Sequence, residues 1–104
     1  MIDNARLEEL VSEIGDGAEE ILLLFLEEAE TVIDRLAATR DGQQRTDQLH
    51  FLRSGALNLG FTGLAEISAR AEACEDAARE WPGIVSDLQR ALVASREALR
   101  VAAA

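Results

Sequence analysis

Apolar residues recur at spacings of three and four along most of this chain, and this spacing limits its possible folds more than any other feature. Such spacing places apolar side chains on one face of an α-helix, whereas a half-buried strand would need strict alternation. The pattern predicts four long helices. Their apolar stripes are Leu22, Phe25, Ala29, Val32, Ile33 and Leu36; Leu49, Leu52, Ala56 and Leu59; Leu64, Ile67, Ala71, Cys74 and Ala78; and Val85, Leu88, Leu92, Ser95 and Leu99.

Capping and turn-forming residues divide these stretches from one another. Helix starts are predicted at Asp3, Asp16, Asp41 and Thr62, and helix stops at Gly15, Gly60 and the Trp81-Pro82-Gly83 segment. Short polar side chains satisfy the free N–H groups at a helix start, and glycine or proline favours a stop. We therefore predict an all-α fold, an antiparallel four-helix bundle with a short extra N-terminal helix. Residues 1–104 are expected to form a single domain.

Charge and cysteine content exclude several classes of protein. The formal net charge is −10, which would repel nucleic acid and anionic membrane surfaces. No apolar run is long enough to span a bilayer, and the acidic N-terminal residues do not resemble a signal peptide. The lone cysteine, Cys74, rules out an internal disulfide and is expected in the core. We predict a cytoplasmic protein that binds neither nucleic acid nor membrane.

The only histidine, His50, lies off the apolar stripe of its predicted helix. Its neighbours one helical turn away are Thr46, Arg53, Ser54 and Leu57. Gly55 in mid-helix costs stability, which suggests close approach to this helix, either by a ligand or by another helix. Small residues beside the ring and a cation three residues on suit an imidazole that accepts a phosphoryl group. The alternative is a surface histidine without a role.

The segment from His50 to Gly60 resembles the signature of histidine-containing phosphotransfer (HPt) domains. His50 matches the phosphorylated histidine, Arg53 the basic position and Gly60 the closing glycine. The family usually has glycine directly after the basic residue, where this chain has Ser54 followed by Gly55. The run Gly60-Phe61-Thr62 with Leu64 and Glu66 is also similar to the phosphotransfer domain of chemotaxis histidine kinases.

The resemblance implies a role for each matched residue. His50 would be phosphorylated, Arg53 would stabilise the phosphoryl oxygens, and Ser54 and Gly55 would leave the ring accessible. Glu72 matches by spacing a glutamate that accepts a hydrogen bond from the ring nitrogen nearer the backbone, which fixes the tautomer. Thr46 and Ser54 could donate further hydrogen bonds. Phe51 and Leu57, with Thr46 beside them and the apolar start of the preceding helix, are expected to contact partners.

The resemblance further implies a phosphocarrier of a multistep two-component phosphorelay, and not a turnover enzyme. No phosphate-binding glycine motif is present, so we expect no cofactor and no metal site in this chain. The phosphoryl group would come from a receiver-domain aspartyl phosphate or a sensor or hybrid histidine kinase, and would pass to a response regulator. Mg²⁺ would belong to the receiver. A monomer is expected.

Three alternatives stay open from the sequence. The chain could be a stand-alone phosphoacceptor like that of a chemotaxis kinase. It could be a degenerate HPt bundle that binds receivers without phosphotransfer, an interpretation supported by Ser54 in place of glycine. It could also be a plain helical adaptor in which the histidine has no function.

Overall fold

The computed structural model describes residues 2–74 and 77–103, and the backbone of those residues is almost entirely helical. The helices are α1 (Asn4–Ile14), α2 (Ala18–Ala38), α3 (Gly42–Leu59), α4 (Thr62–Glu72) and α5 (Ala77–Ala103), with a short 3₁₀ turn over Gly15–Gly17. In the bundle, α2 packs on α3 and α5, and α4 packs on the same two helices. The all-α four-helix bundle with a short extra helix is therefore confirmed.

The core is built from the apolar stripes, as their spacing predicts. Fully enclosed side chains come from each bundle helix and include Leu22, Ile33, Leu36, Leu52, Leu64 and Leu88. Cys74 is an exception, because it is only partly buried and its thiol donates to Glu80 Oε2 at 3.0 Å. The prediction of a core position for Cys74 was wrong because α4 ends at Glu72. The side chain of Ala78, also assigned to this stripe, lies outside the described residues.

Three helix boundaries follow from local side-chain chemistry. Asp3 and Asp41 each accept a hydrogen bond from the backbone N–H three residues later, at 3.2 Å and 3.0 Å. Gly60 ends α3 in the left-handed conformation, with φ of +87°, which glycine adopts without the steric cost that a Cβ would bring. The predicted caps of α1 and α3 and the predicted end of α3 are therefore confirmed.

Two predicted caps were wrong. Asp16 lies in the 3₁₀ turn, and Gly17 precedes α2 with helical backbone angles and no side-chain cap. The chain thus enters α2 directly from the turn, without the extended residue that a cap requires. Thr62 is the first residue of α4, and the residue before it is Phe61. Because Phe61 is fully buried, its packing fixes where α4 begins.

The predicted break at Trp81-Pro82-Gly83 was also wrong, since α5 runs through this segment. Trp81 and Val85 lie one turn apart and are both buried, and Trp81 Nε1 donates to the Leu36 carbonyl at 2.9 Å. This packing outweighs the backbone hydrogen bond that Pro82 cannot make. The chain instead leaves α4 after Glu72, and the predicted continuation of α4 through Glu75 and Asp76 lies outside the described residues.

The N-terminal helix is tied to the end of α3. The backbone N–H of Asp3 donates to the Gly60 carbonyl at 2.6 Å, and Arg6 Nε donates to the Asn58 carbonyl at 2.8 Å. These bonds hold α1 across the end of the helix that carries His50. Within the described part of the chain, no helix combines the length and the apolarity needed to cross a membrane.

Candidate functional site

His50 lies in the middle of α3 and faces away from the bundle. Leu49 and Leu52 on either side of it are buried, so the helical turn directs the imidazole outward. The His50 side chain is 62% exposed. Most of the side chain is thus available to another molecule.

Three polar side chains surround the imidazole. Arg53 Nη2 lies 2.9 Å from His50 Nδ1, and Ser54 Oγ lies 3.4 Å from His50 Nε2. Glu72 Oε1 lies 3.7 Å from His50 Nδ1. Arg53 and Ser54 reach the ring because they are one turn further along α3, whereas Glu72 is brought there by the packing of α4 on α3. The structure therefore brings together four of the five polar side chains that the sequence singled out, namely His50, Arg53, Ser54 and Glu72.

Glu72 forms an ion pair with Arg53, whose Nε lies 2.6 Å from Glu72 Oε2. The distance from Glu72 to the imidazole is longer than a hydrogen bond. A guanidinium can only donate, so the group that faces Nδ1 at hydrogen-bond distance is a donor. The predicted hydrogen bond from Nδ1 to Glu72 is not formed here, and the role assigned to Glu72 stays a prediction.

Two of the predicted site residues have other neighbours. The Thr46 hydroxyl donates to the Gly42 carbonyl at 2.9 Å, within its own helix. At Gly55, an added Cβ would lie 2.3 Å from Phe25 Cε1. The access role assigned to Gly55 is therefore corrected: its missing side chain makes room for the Phe25 ring of α2. Close approach by another helix was the second of the two explanations for a mid-helix glycine that the sequence left open.

An apolar surface lies beside the histidine. Phe51 and Leu57 are both exposed, and the Phe51 ring packs against Phe25 at a centroid distance of 6.1 Å. Near Phe25 on α2, Ile21 and Leu24 are also exposed, whereas Leu26 is buried. The apolar start of α2 thus divides between core and surface. We call Ile21, Leu24, Phe51 and Leu57 the apolar rim.

Arg6 is a charged residue at this site that the sequence did not reveal. It lines an open depression together with Ser54, Gly55, Leu57 and Asn58, and of these Ser54 lies against His50. Its guanidinium also contacts Glu9, with Nη1 at 3.0 Å from the Glu9 carboxylate. No local signal could have indicated it, because Arg6 and Asn58 are 52 residues apart in the chain. Only the docking of α1 on α3 places this cation beside the end of the helix that carries His50.

This arrangement suits transfer of an anionic group to an exposed ring nitrogen. A cation lies beside the nucleophile to stabilise developing negative charge, and a carboxylate lies beside the cation. The exposed imidazole is open to solvent. Among residues 2–74 and 77–103, no cluster of three histidine, cysteine or acidic side chains could hold a metal ion.

Comparison with known proteins yields one match. A family model for the Hpt domain matches residues 20–100, which cover nearly all of α2, all of α3 and α4 and most of α5. No curated protein and no solved structure matches the chain.

Proposed function

Because the chain belongs to the Hpt domain family, we propose that it is a phosphocarrier that accepts a phosphoryl group on His50 and passes it to a response regulator. Members of this family carry phosphoryl groups on histidine in phosphorelays, where they interact with kinases and receiver domains. The observation that carries the assignment to His50 is its placement on an exposed helix face with Arg53 at 2.9 Å. His50 is also the only histidine in the chain.

The transfer step requires a ring nitrogen with a free electron pair. We assign this role to Nε2, because Arg53 and Glu72 lie against Nδ1. Nε2 attacks the phosphorus of an aspartyl phosphate, the N–P bond forms, and the P–O bond to the aspartate breaks. The aspartate carboxylate leaves with the electron pair. Arg53 stabilises the phosphoryl oxygens through charge-assisted hydrogen bonds.

The donor is a receiver-domain aspartyl phosphate or a sensor or hybrid kinase. The chain has no nucleotide-binding motif of its own, and the proposal gives it no turnover of ATP. In the complex, the receiver contributes Mg²⁺ and the aspartate. We further propose that the protein acts as a monomer and is located in the reducing cytoplasm.

A phosphotransfer assay tests this function. Receiver domains are charged with a small-molecule phosphodonor and mixed with the protein, and the intact mass of the protein is followed. The wild type is expected to gain one acid-labile phosphoryl group. His50→Gln, which keeps a polar side chain of similar size, is expected to gain none. Equal labelling of the two proteins would refute the assignment of His50.

A second candidate function is binding of receivers without phosphotransfer. It is supported by Ser54, which replaces the usual glycine and whose hydroxyl lies 3.4 Å from Nε2. Receiver binding by wild-type protein that takes no label would favour this adaptor function. Gain of label by Ser54→Gly would then show that the hydroxyl is what prevents transfer.

A stand-alone phosphoacceptor like that of a chemotaxis kinase is the third candidate, favoured by the position of Glu72 next to the Arg53–His50 pair. This phosphoacceptor would differ from the phosphorelay carrier in its phosphodonor. Label acquired from a kinase catalytic domain with ATP, and from no charged receiver, would support it. Label acquired from charged receivers would support the phosphorelay carrier.

A further inference from the structure

We infer that Arg53 sets the tautomer of His50 and holds the imidazole in its unreactive form until an anionic phosphoryl group draws the arginine away. The consequence for transfer rests on the proposed function. The tautomer itself is a property of the free protein and is measured without any partner.

The first step of the argument is the hydrogen bond between Arg53 and the ring. Arg53 Nη2 lies 2.9 Å from His50 Nδ1. A guanidinium stays protonated and has no acceptor atom, so Nδ1 must be the acceptor. A neutral imidazole has one N–H, which must therefore be on Nε2. Ser54 Oγ, at 3.4 Å from Nε2, is placed to accept from it. In this tautomer Nε2 has no free electron pair to attack phosphorus.

The second step is that a group favouring the other tautomer is also present at Nδ1. Glu72 Oε1 lies 3.7 Å from Nδ1, so an approach of about 0.5 Å would bring it within hydrogen-bond distance. An ionised carboxylate can only accept, and it would hold the proton on Nδ1. The electron pair would then be on Nε2. Arg53 and Glu72 thus favour opposite tautomers at one nitrogen.

The third step concerns the ease with which Arg53 can leave. Its Nε is enclosed and lies 2.6 Å from Glu72 Oε2, yet within the described part of the chain this N–H has no well-directed hydrogen-bond acceptor. The ion pair holds Nε at Glu72, so the movement required is a turn of the guanidinium end that contacts Nδ1 and not release of the whole side chain. The Arg53 side chain is 36% exposed, which leaves its end room to turn outward.

An arriving phosphoryl group supplies the force for this movement. Its anionic oxygens bind a guanidinium more strongly than a neutral ring nitrogen does. As Arg53 turns to the phosphoryl group, the ring gives its Nε2 proton to solvent and takes a proton from solvent on Nδ1, where Glu72 accepts the hydrogen bond. Nε2 then forms the N–P bond while the P–O bond of the aspartyl phosphate breaks. The arrival of the substrate thereby produces the nucleophile, and Arg53 acts as a positioning residue for His50.

The experiment is a long-range ¹H–¹⁵N correlation spectrum of the ¹⁵N-labelled protein, recorded where the imidazole is neutral. Because the chain has one histidine, its two ring nitrogens give the only imidazole signals. The wild type is expected to be protonated on Nε2. In Arg53→Met, which cannot donate, the ratio of the Nδ1–H to the Nε2–H form should rise about tenfold or more, as loss of one charged hydrogen bond predicts.

Two controls separate this effect from others. Arg53→Met combined with Glu72→Gln is expected to lose most of the shift, because the acceptor is no longer a carboxylate. Arg70→Met removes a cation that pairs with Glu66 on α4, and it should leave the tautomer ratio unchanged. Circular dichroism checks that each variant is folded, and Arg53→Leu replaces Arg53→Met if the latter is not.

The inference is overturned if the wild-type ring is protonated mainly on Nδ1, or if the ratio is equal in wild type and Arg53→Met. The first of these results needs no variant. Labelling of the wild type together with an unchanged ratio would refute the control by Arg53 and leave the phosphocarrier function standing. If the ratio differs between Arg53→Met and the wild type while the wild type takes no label, control of the tautomer by Arg53 stands and the phosphocarrier function is refuted.

Discussion

Gly55 is the residue whose absent side chain has the widest effect on this site. The Phe25 ring lies where a Cβ at position 55 would be, and it also stacks on Phe61 at a centroid distance of 6.0 Å. The same ring contacts Phe51, the neighbour of His50. One glycine in α3 therefore determines how closely α2 approaches and where Phe51 lies beside the histidine.

We expect Gly55→Ala to destabilise the protein by about 1–3 kcal/mol, the usual cost of overpacking a core. The clash outweighs the gain in helix propensity of about 1 kcal/mol. Urea denaturation followed by the emission of Trp81, the only tryptophan, measures the change.

Gly83→Ala is the matched control, because nothing beyond its chain neighbours and its own helix backbone lies within 4 Å of a Cβ built at this helical glycine. It is expected to stabilise by about 0.5–1 kcal/mol. Shifts of the same sign in both variants would mean that the Phe25 contact does not explain Gly55.

At the scale of elements, the start of α5 shows tertiary packing overriding a local signal. Pro82 is exposed and lies inside the helix, between the buried Trp81 and Val85. Arg45 lies over the Trp81 ring at 4.1 Å from its centroid, a cation–π contact that joins α5 to α3. The helix forms here because the tryptophan must pack, although the proline opposes it.

Pro82→Ala is therefore expected to raise the free energy of unfolding by about 1–3 kcal/mol, since a backbone hydrogen bond is restored. The greater freedom of the unfolded chain offsets less than about 1 kcal/mol of this gain. Thermal and urea denaturation measure it. Gln89→Ala, an exposed site later in α5, should change stability by less than about 0.5 kcal/mol. A loss of stability in Pro82→Ala would refute this account.

The elements also show what the sequence could predict and what it could not. The caps at Asp3 and Asp41 and the end at Gly60 depend on local chemistry, and they were predicted correctly. The start of α4 and the course of α5 depend on the burial of Phe61 and Trp81, which no local pattern reveals.

The site likewise contains some residues that local sequence could predict and others that it could not. The neighbours of His50 on its own helix, Arg53 and Ser54, follow from helical spacing. Glu72 was indicated only by family resemblance, because its closeness needs the packing of α4 on α3. The hydrogen bond from Arg53 to Nδ1 depends on side-chain rotamers that spacing does not fix, and Arg6 depends on the docking of α1.

At the scale of the whole molecule, the apolar rim is the surface that we expect a receiver to cover. Its members are exposed on α2 and α3, and the Phe25–Phe51 contact joins the two helices beside His50. Covering one leucine side chain contributes about 1.5–3 kcal/mol. A charge at that position would lose this term and would also have to be desolvated.

Leu57→Glu should therefore slow phosphotransfer from a charged receiver by about tenfold or more at subsaturating concentrations, with little change in stability. Leu57 is 63% exposed, and Val93 on α5, at 66%, provides the matched control. Val93→Glu is expected to transfer at the wild-type rate. Equal slowing by both substitutions would indicate a general effect of charge, and no slowing by Leu57→Glu would place the docking surface elsewhere.

Under the proposed phosphocarrier function, the exposure of His50 on one face of α3 has a consequence for the kinetics of phosphoryl exchange. The transferring nitrogen would enter one receiver active site at a time, so donor and acceptor proteins would compete for the same surface of this chain. We therefore expect ping-pong kinetics, in which the carrier leaves one partner before it binds the next. The rate of exchange would then be limited by the partner that dissociates most slowly, and an excess of dephosphorylated donor is expected to inhibit transfer to the acceptor.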